Sequence, residues 1–315
     1  VSGVILVVSV FFGFIVALLT VSVTMTNISS LFYNFGCTIP VGVGMLAVFL
    51  LHELIGVPLL AAFPLGAIIG GLFNVGIYLA VIKQVIKNGR SHVLTSLASL
   101  GLILVFTNGL TVLGYYINLH VPSELWCQRG ISDRVFTANH FHFRVDLLGL
   151  DRSNSSILLM VMVVVILIGV WKTGFEEFYK YRLLALKDEP QLLRTQEVDV
   201  NQIQVKTWFA SGCLSGLAGC LLPVVFKGYP GFSIENHLII VALSSLLAGL
   251  NSLSWALVIG FFLGLNEIFT TAFLQLLFGA VMGEYRALYT VIFWLIMVIF
   301  FRWLGIWDEP DFDYL

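Results

Sequence analysis

The chain has 315 residues, 59% of them hydrophobic and only 11% charged, with 16 Lys and Arg against 18 Asp and Glu for a formal net charge of −2. Soluble domains carry about 25% charged residues, so this composition excludes an ordinary soluble globular protein. The small net charge gives no reason to expect nucleic acid or an acidic partner.

Several runs approach the roughly 20 apolar residues that cross a bilayer core, and the short alternating segments of an outer-membrane barrel are missing. The fold class expected is all-α: a polytopic transmembrane helical bundle of about 8–10 membrane segments, with each backbone polar group satisfied inside its own helix.

The first apolar run, Gly3 to Met25, has no charge and no basic flank or small-residue cleavage site, so it reads as a true span rather than a signal peptide. The numbering opens at Val1 without a Met, and a few preceding residues are expected. A polar patch, Thr26-Asn27-Ile28-Ser29-Ser30, separates this run from Asn34-Phe35-Gly36-Cys37-Thr38-Ile39-Pro40, which continues apolar to Leu51. Pro40 removes a backbone donor, while Gly36, Gly42 and Gly44 permit close backbone approach. Two readings fit: a discontinuous helix of the kind that builds transport sites near the bilayer midplane, or a loop followed by a Gly-rich packing helix.

A third span covers Val57 to Val81 and ends in Lys83, Lys87 and Arg90; a fourth covers Val93 to Ile117. The polar excursion 118–154 carries four arginines against four acids, and its alternation from Val135 to Val145 suggests a small hairpin. His140 and His142 lack further ligands at suitable spacing, so a solvated strand face is expected there and no metal. A fifth span, Ser155 to Trp171, leads into the longest internal run of charge, from Glu176 to Lys206. Then come a sixth span, Thr207 to Phe226, a short apolar stretch, His237 to Leu250, and two more spans, Trp255 to Leu277 and Tyr285 to Leu304. The tail 306–315 is acidic. Cys37, Cys213 and Cys220 fall in apolar spans and Cys127 alone in a loop, so all four are expected to be small buried side chains rather than a disulfide framework.

Basic residues favour a cytoplasmic location for the loop after the third span, the charged segment and the C-terminus. Parity then puts the N-terminus outside. Asp188 and Glu189 suit the positive end of a short helix, and Pro190 suits its first turn. Leu192, Leu193 and Arg194 would then offer an apolar contact with a charge beside it. In the helix that follows, Ser211, Ser215 and Gly219 repeat at four-residue spacing, as do Gly212 and Gly216. Such faces either pack tightly or line a narrow path. Glu267, next to Asn266, sits well inside an apolar span. Inserting it charged costs about 2.5–3.5 kcal/mol, so it must pair, face a cavity or be protonated; a bond to a broken helix end is preferred.

The run from Ala185 to Val200 resembles the cytoplasmic coupling loop of permease subunits from branched-chain amino acid ABC importers. Asp188-Glu189-Pro190 is similar to that family's acidic-Pro pair, Val198-Asp199-Val200 to its Gly-Ile-Asp-Val element, and Leu214-Ser215-Gly216-Leu217-Ala218-Gly219 to its small-residue helix. Asn34-Phe35 followed by Gly44 resembles the start of its second helix, Pro230-Gly231 its extracytoplasmic turn, and Ala248-Gly249-Leu250-Asn251-Ser252 its hinge. Gly260, Gly264 and Glu267 are similar to the Gly-x-x-x-Gly-x-x-Glu helix beyond it. There are departures: Cys37-Thr38 replaces a His-Gly, Glu197 a Gly, and Ala248 and Asn251 two hinge glycines.

The resemblance implies a single transmembrane permease domain, 1–305, with an extracytoplasmic loop at 116–154, a cytoplasmic coupling segment at 173–206 and an acidic tail at 306–315. It implies ATPase coupling through Asp188, Glu189, Pro190, Leu192, Leu193, Arg194 and Asp199. It places Asn34, Thr38, Gly44, Ser211, Ser215, Gly249, Asn251, Ser252, Asn266 and Glu267 on the translocation pathway or its hinge.

The implied partners are a second permease subunit in a homo- or heterodimer, two cytoplasmic ABC ATPases that bind ATP and Mg, and an extracytoplasmic substrate-binding protein. The expected cargo is a small neutral or zwitterionic solute, branched-chain or hydrophobic amino acids first, crossing the inner membrane of a prokaryote. No cofactor is expected in this chain, which has no Gly-x-x-x-x-Gly-Lys-Ser/Thr loop. The alternative is a stand-alone channel or secondary transporter for a small neutral solute such as urea or a sugar. An intramembrane enzyme is disfavoured, because no span carries a Ser/His, Asp/Asp or His-Glu-x-x-His arrangement.

Overall fold

A computed structural model describes residues 2–87, 91–120, 199–225, 237–250 and 252–303. The expected hairpin, the fifth span, residues 188–194, Pro230-Gly231, Asn251 and the acidic tail lie outside the described residues.

The elements in order are α1 (Ser2–Ser30), α2 (Ile39–Phe49), α3 (Leu59–Ile77), α4 (Lys83–Lys87), α5 (His92–His120), α6 (Val200–Val225), α7 (Leu238–Leu247), α8 (Leu253–Phe278) and α9 (Arg286–Trp303). A 3-10 turn, Phe35–Thr38, leads into α2, and a π turn, Leu50–Leu54, prolongs it. A second π turn, Tyr78–Ile82, joins α3 to α4, and a 3-10 turn, Ala280–Tyr285, joins α8 to α9. Among the described residues there is no strand. Among the described residues, six helical stretches are long and apolar enough to cross a membrane, and Leu238–Leu247 and Arg286–Phe300 are shorter apolar helices.

α1 forms the axis. It packs along α8 on one side and α6 on another, while α6 also packs on α2 and α3, and α7 lies against α1, α8 and α9. Glycines set these crossings by letting backbones touch. A Cβ added at Gly219 would collide with the Val41 backbone, and one at Gly44 with the Gly216 backbone. Between α1 and α8, a Cβ at Gly264 would come within 2.9 Å of Gly13 Cα and Val16 Cβ. The outer faces are apolar: Leu97, Leu104 and Val105 on α5, Phe262, Phe269 and Phe273 on α8, and Ile292, Ile296 and Ile299 on α9 are exposed, as lipid contact requires.

α1 does not stop at the polar patch that follows Met25. Thr26, Ser29 and Ser30 are buried inside the helix. Thr26 Oγ1 donates to Val23 O at 2.9 Å and Ser29 Oγ to Thr26 O at 3.1 Å. Hydroxyls returned to carbonyls three or four residues back leave the helix intact.

α5 runs on to His120, five residues into the segment 116–154. At the start of α6, Asp199 Oδ1 accepts the backbone N–H groups of Asn201 at 3.0 Å and Gln202 at 3.3 Å, as an N-cap does.

α7 ends in two left-handed residues, Gly249 at φ +72° and Leu250 at φ +56°. Gly249 N donates to Leu246 O at 3.0 Å and Leu250 N to Ser245 O at 3.3 Å, so the last carbonyls of α7 are satisfied before the chain turns. Ser252 then opens α8 by accepting from Trp255 N. The expected hinge is thus a sharp reversal between two helices.

Candidate functional site

A seam of small polar side chains runs through the interior where α1 meets α6 and α7. Ser22 Oγ lies 2.6 Å from Ser215 Oγ and 2.9 Å from Ser211 Oγ, and it donates to Ser211 O at 3.1 Å. Two residues back, Thr20 Oγ1 lies 2.7 Å from Ser244 Oγ of α7 and also reaches Val16 O at 2.8 Å. All five side chains are buried. In hydrocarbon an unmade hydrogen bond has no water to fall back on, so these contacts fix helix register as well as holding the helices together.

Towards the C-terminal end of α1 the seam becomes amide and aromatic. Trp208 Nε1 donates to Ser30 Oγ at 3.1 Å, and Asn74 Nδ2 donates to Trp208 O at 2.8 Å. Gln204 Nε2 donates to Ser29 O at 3.3 Å, and its Oε1 accepts from Tyr78 OH at 2.7 Å. The Tyr78 ring stacks on Trp208 with centroids 5.0 Å apart. Tyr78 sits in a π turn, a distortion that redirects side chains within a helix and recurs at functional sites.

The second run enters through an irregular stretch, 31–34, and a 3-10 turn that continues into α2 with Thr38 and Ile39 both helical in backbone. Phe35 N donates to Ser99 Oγ of α5 at 3.1 Å, and the 3-10 turn then passes into α2 through Ile39 and Pro40. Asn34 precedes the turn with extended backbone, yet its side chain makes no cap. Thr38 occupies the N-cap position of α2 with helical backbone, φ −82° and ψ −14°, and its hydroxyl makes no cap either. Both residues are buried, and Asn34 Nδ2 and Thr38 Oγ1 lack a hydrogen-bond partner. Nearby, Tyr33 OH meets Ser245 Oγ at 2.8 Å. Burial raises the Tyr33 phenol far above its ordinary value, with Cys37 adding to the effect and Ser245 opposing it, so the group stays neutral.

Glu267 pairs with Arg286, the first residue of α9, through Oε1 and Nε. The Arg286 guanidinium also lies over the Phe12 ring of α1 at 4.7 Å. The preferred partner, a helix end at the hinge, gives way to an arginine that returns after the 3-10 turn. Spacing within one helix carries no information about a residue nineteen positions on. Asn266 Oδ1 accepts from Thr270 on its own helix.

The structure therefore gathers the expected pathway residues into separate places. Ser211 and Ser215 face Ser22, Asn34 and Thr38 flank the 3-10 turn before α2, Gly44 touches Gly216, and Gly249 and Ser252 lie in the turn between α7 and α8. Glu267 stands with Arg286. Of the coupling residues, Asp199 alone is described, and it caps α6. Sequence reasoning missed Thr20, Ser22, Ser244, Tyr78 and Trp208. The first three could have been found from hydroxyls recurring inside an uncharged run. Among the described residues no three His, Cys, Asp or Glu side chains converge to hold a metal.

Lipid-length helices around a hydroxyl- and amide-rich interior define a multi-pass helical membrane protein. Residues 5–301 match the family described as the permease component of branched-chain amino acid transport systems, and the chain belongs to that family of ABC transporter permeases. It is 28% identical over 276 residues to the probable branched-chain amino acid transport permease protein LivH of Methanocaldococcus jannaschii, which spans 86% of this chain and 82% of that relative. PsaBC from Streptococcus pneumoniae in complex with Fab is similar with a TM-score of 0.45 and 16% identity, over 99% of this chain and 92% of that one.

Proposed function

We propose that this chain forms half of the translocation pathway of an ATP-driven importer in the inner membrane of a prokaryote. It carries a small neutral or zwitterionic solute of the branched-chain or hydrophobic amino acid class. The observation that carries this reading is the family match across residues 5–301. The interior supports the solute class, because among the described residues its buried polar side chains are hydroxyls and amides apart from His237 and the Glu267–Arg286 pair.

A second permease subunit completes the pathway, and an extracytoplasmic binding protein delivers the solute. Two ATPases, which bind the ATP and Mg, pull on the segment 173–206, and the C-terminus lies on the same cytoplasmic side. Asp199 caps the first turn of α6, so a force on residues 185–198 passes directly into the helix whose Ser211 and Ser215 grip α1.

Reconstitution of the complete complex in proteoliposomes tests the reading. ATP-dependent uptake of labelled leucine, well above uptake of urea or a pentose, is the expected result. Uptake that proceeds without ATP, or that favours urea or a sugar, would overturn it. The paired change Glu189→Lys with Arg194→Glu should release the ATPases in co-purification; unchanged binding would sink the coupling assignment.

A further inference from the structure

We infer that the irregular entry to α2 is a carboxylate subsite, where the transported amino acid is held by Asn34 Nδ2 and Thr38 Oγ1 during passage. The inference rests on the reading that the solute is an amino acid.

Three features meet at this point. The first is electrostatic: the first N–H groups of a helical segment have no intrahelical acceptor, and the helix dipole makes that end favourable for an anion. In the 3-10 turn Phe35 N is already satisfied by Ser99 Oγ and Ile39 N by Gly36 O, and Pro40 has no N–H to offer. The local donors are therefore few and specific.

The second is that two polar side chains beside those donors are idle. Asn34 is 1% exposed and Thr38 fully buried, and neither Asn34 Nδ2 nor Thr38 Oγ1 has a partner. An orphaned buried polar atom is costly to the fold unless something fills its place. Thr38 cannot use its hydroxyl as a cap because its own backbone is helical, whereas a capping residue is extended.

The third is placement. Asn34 Oδ1 lies 3.2 Å from where a Gly36 Cβ would stand, so the carboxamide is folded over the first turn. Ser99 O and Ile39 Cδ1 bound the same small space at 3.5 and 3.4 Å. Ile39 belongs to an apolar cluster with Phe32, Ile77, Ile103 and Trp208, which suits an aliphatic side chain beside the carboxylate. Pathways at broken membrane helices use these same elements, a helix start for the anionic group and irregular backbone around it.

In the conformation described, the subsite is shut. Leu31, at φ +56°, makes the turn between α1 and this segment, and a left-handed leucine is a strained residue at which the connection can give.

The test uses the complete transporter in proteoliposomes, reading leucine taken up per ATP hydrolysed. Asn34→Leu and Thr38→Val keep side-chain volume and remove the donors. Each should lower uptake per ATP about tenfold while binding-protein-stimulated hydrolysis stays within about twofold, and Thr38→Ser should restore uptake. Gly36→Ala, which fills the small space, should give a smaller loss.

Uptake per ATP unchanged in Asn34→Leu and Thr38→Val would overturn the subsite while leaving the importer reading intact; it would mean that the two groups hold only water. Absence of ATP-driven leucine uptake by the wild type would overturn both. Should Asn34→Leu fail to assemble, the Thr38→Val and Thr38→Ser pair decides alone.

Discussion

α1 and α5 are both 29 residues long, both lack Asp, Glu, Lys and Arg, and both would be read as spans. Yet 83% of the most apolar stretch of α1 is buried against 22% of that of α5. The difference lies in where their small polar residues go. In α1, Ser9, Thr20, Ser22, Thr24, Thr26, Ser29 and Ser30 point in all directions around the helix and are all buried. In α5, Thr95, Ser99, Ile103 and Thr107 are buried at four-residue spacing, a single stripe facing its neighbours, and the rest of the described circumference is half-buried or exposed. Hydrophobicity decides that a helix enters the membrane, and the distribution of hydroxyls and glycines decides how many neighbours it has once there.

That contrast is broken most severely where charge is involved. Arg286→Leu strips Glu267 of its partner and removes the cation over Phe12 of the axial helix. Leaving one member of a buried pair costs about 3 kcal/mol, read as a lowered Tm of the purified protein in detergent. Adding Glu267→Leu should recover more than half of the loss, since an apolar pair is tolerated there. A double variant no more stable than Arg286→Leu would show that the pair does not bear on stability.

Next in size is Gly219→Ala. The new methyl would strike the Val41 backbone of α2, which has no flexible side chain to move aside. Overpacking of this kind costs about 2 kcal/mol, and the same thermal measurement checks it.

The span pattern was legible because apolar runs of membrane length leave few alternatives, and Pro40 marks the first turn of α2, a place that suits proline. The end of α1 was not: Thr26, Ser29 and Ser30 look like a loop in sequence, and the bonds of Thr26 and Ser29 to carbonyls one turn back belong to a continuing helix. The spacing of Ser211 and Ser215 was visible, but their partner Ser22 lies some 190 positions away and no local pattern points to it. Glu267 announced that it needed a partner without naming Arg286. Residue type reports a requirement; only the fold supplies the contact that meets it.

Ser22→Ala sharpens the comparison on the hydroxyl side. It removes one oxygen from contacts to Ser211 and Ser215; the Ser215 hydroxyl keeps its bond to Ser211 O at 3.1 Å, while the Ser211 hydroxyl loses its contact with Ser22. Interhelical hydrogen bonds in membranes average about 0.6 kcal/mol, so the loss should be near that value. A loss as large as that of Gly219→Ala would mean that the seam, rather than the glycine crossings, holds α1 in place.

The smallest effect, and the one of opposite sign, belongs to α5. Gly101 and Gly109 have nothing within 4 Å of where a Cβ would stand, and both are exposed. On a helix that meets lipid on that face, an added methyl strikes nothing and restricts the flexible glycine backbone. Gly109→Ala should therefore raise stability by about 0.5 kcal/mol, the helix-interior penalty of glycine at its lower end. Gly101→Ala should do the same, and the two should add because eight residues separate them. If either change instead lowered the Tm as Gly219→Ala does, that face of α5 would be packed against protein in the assembled transporter, and the division between an enclosed α1 and a lipid-facing α5 would fail.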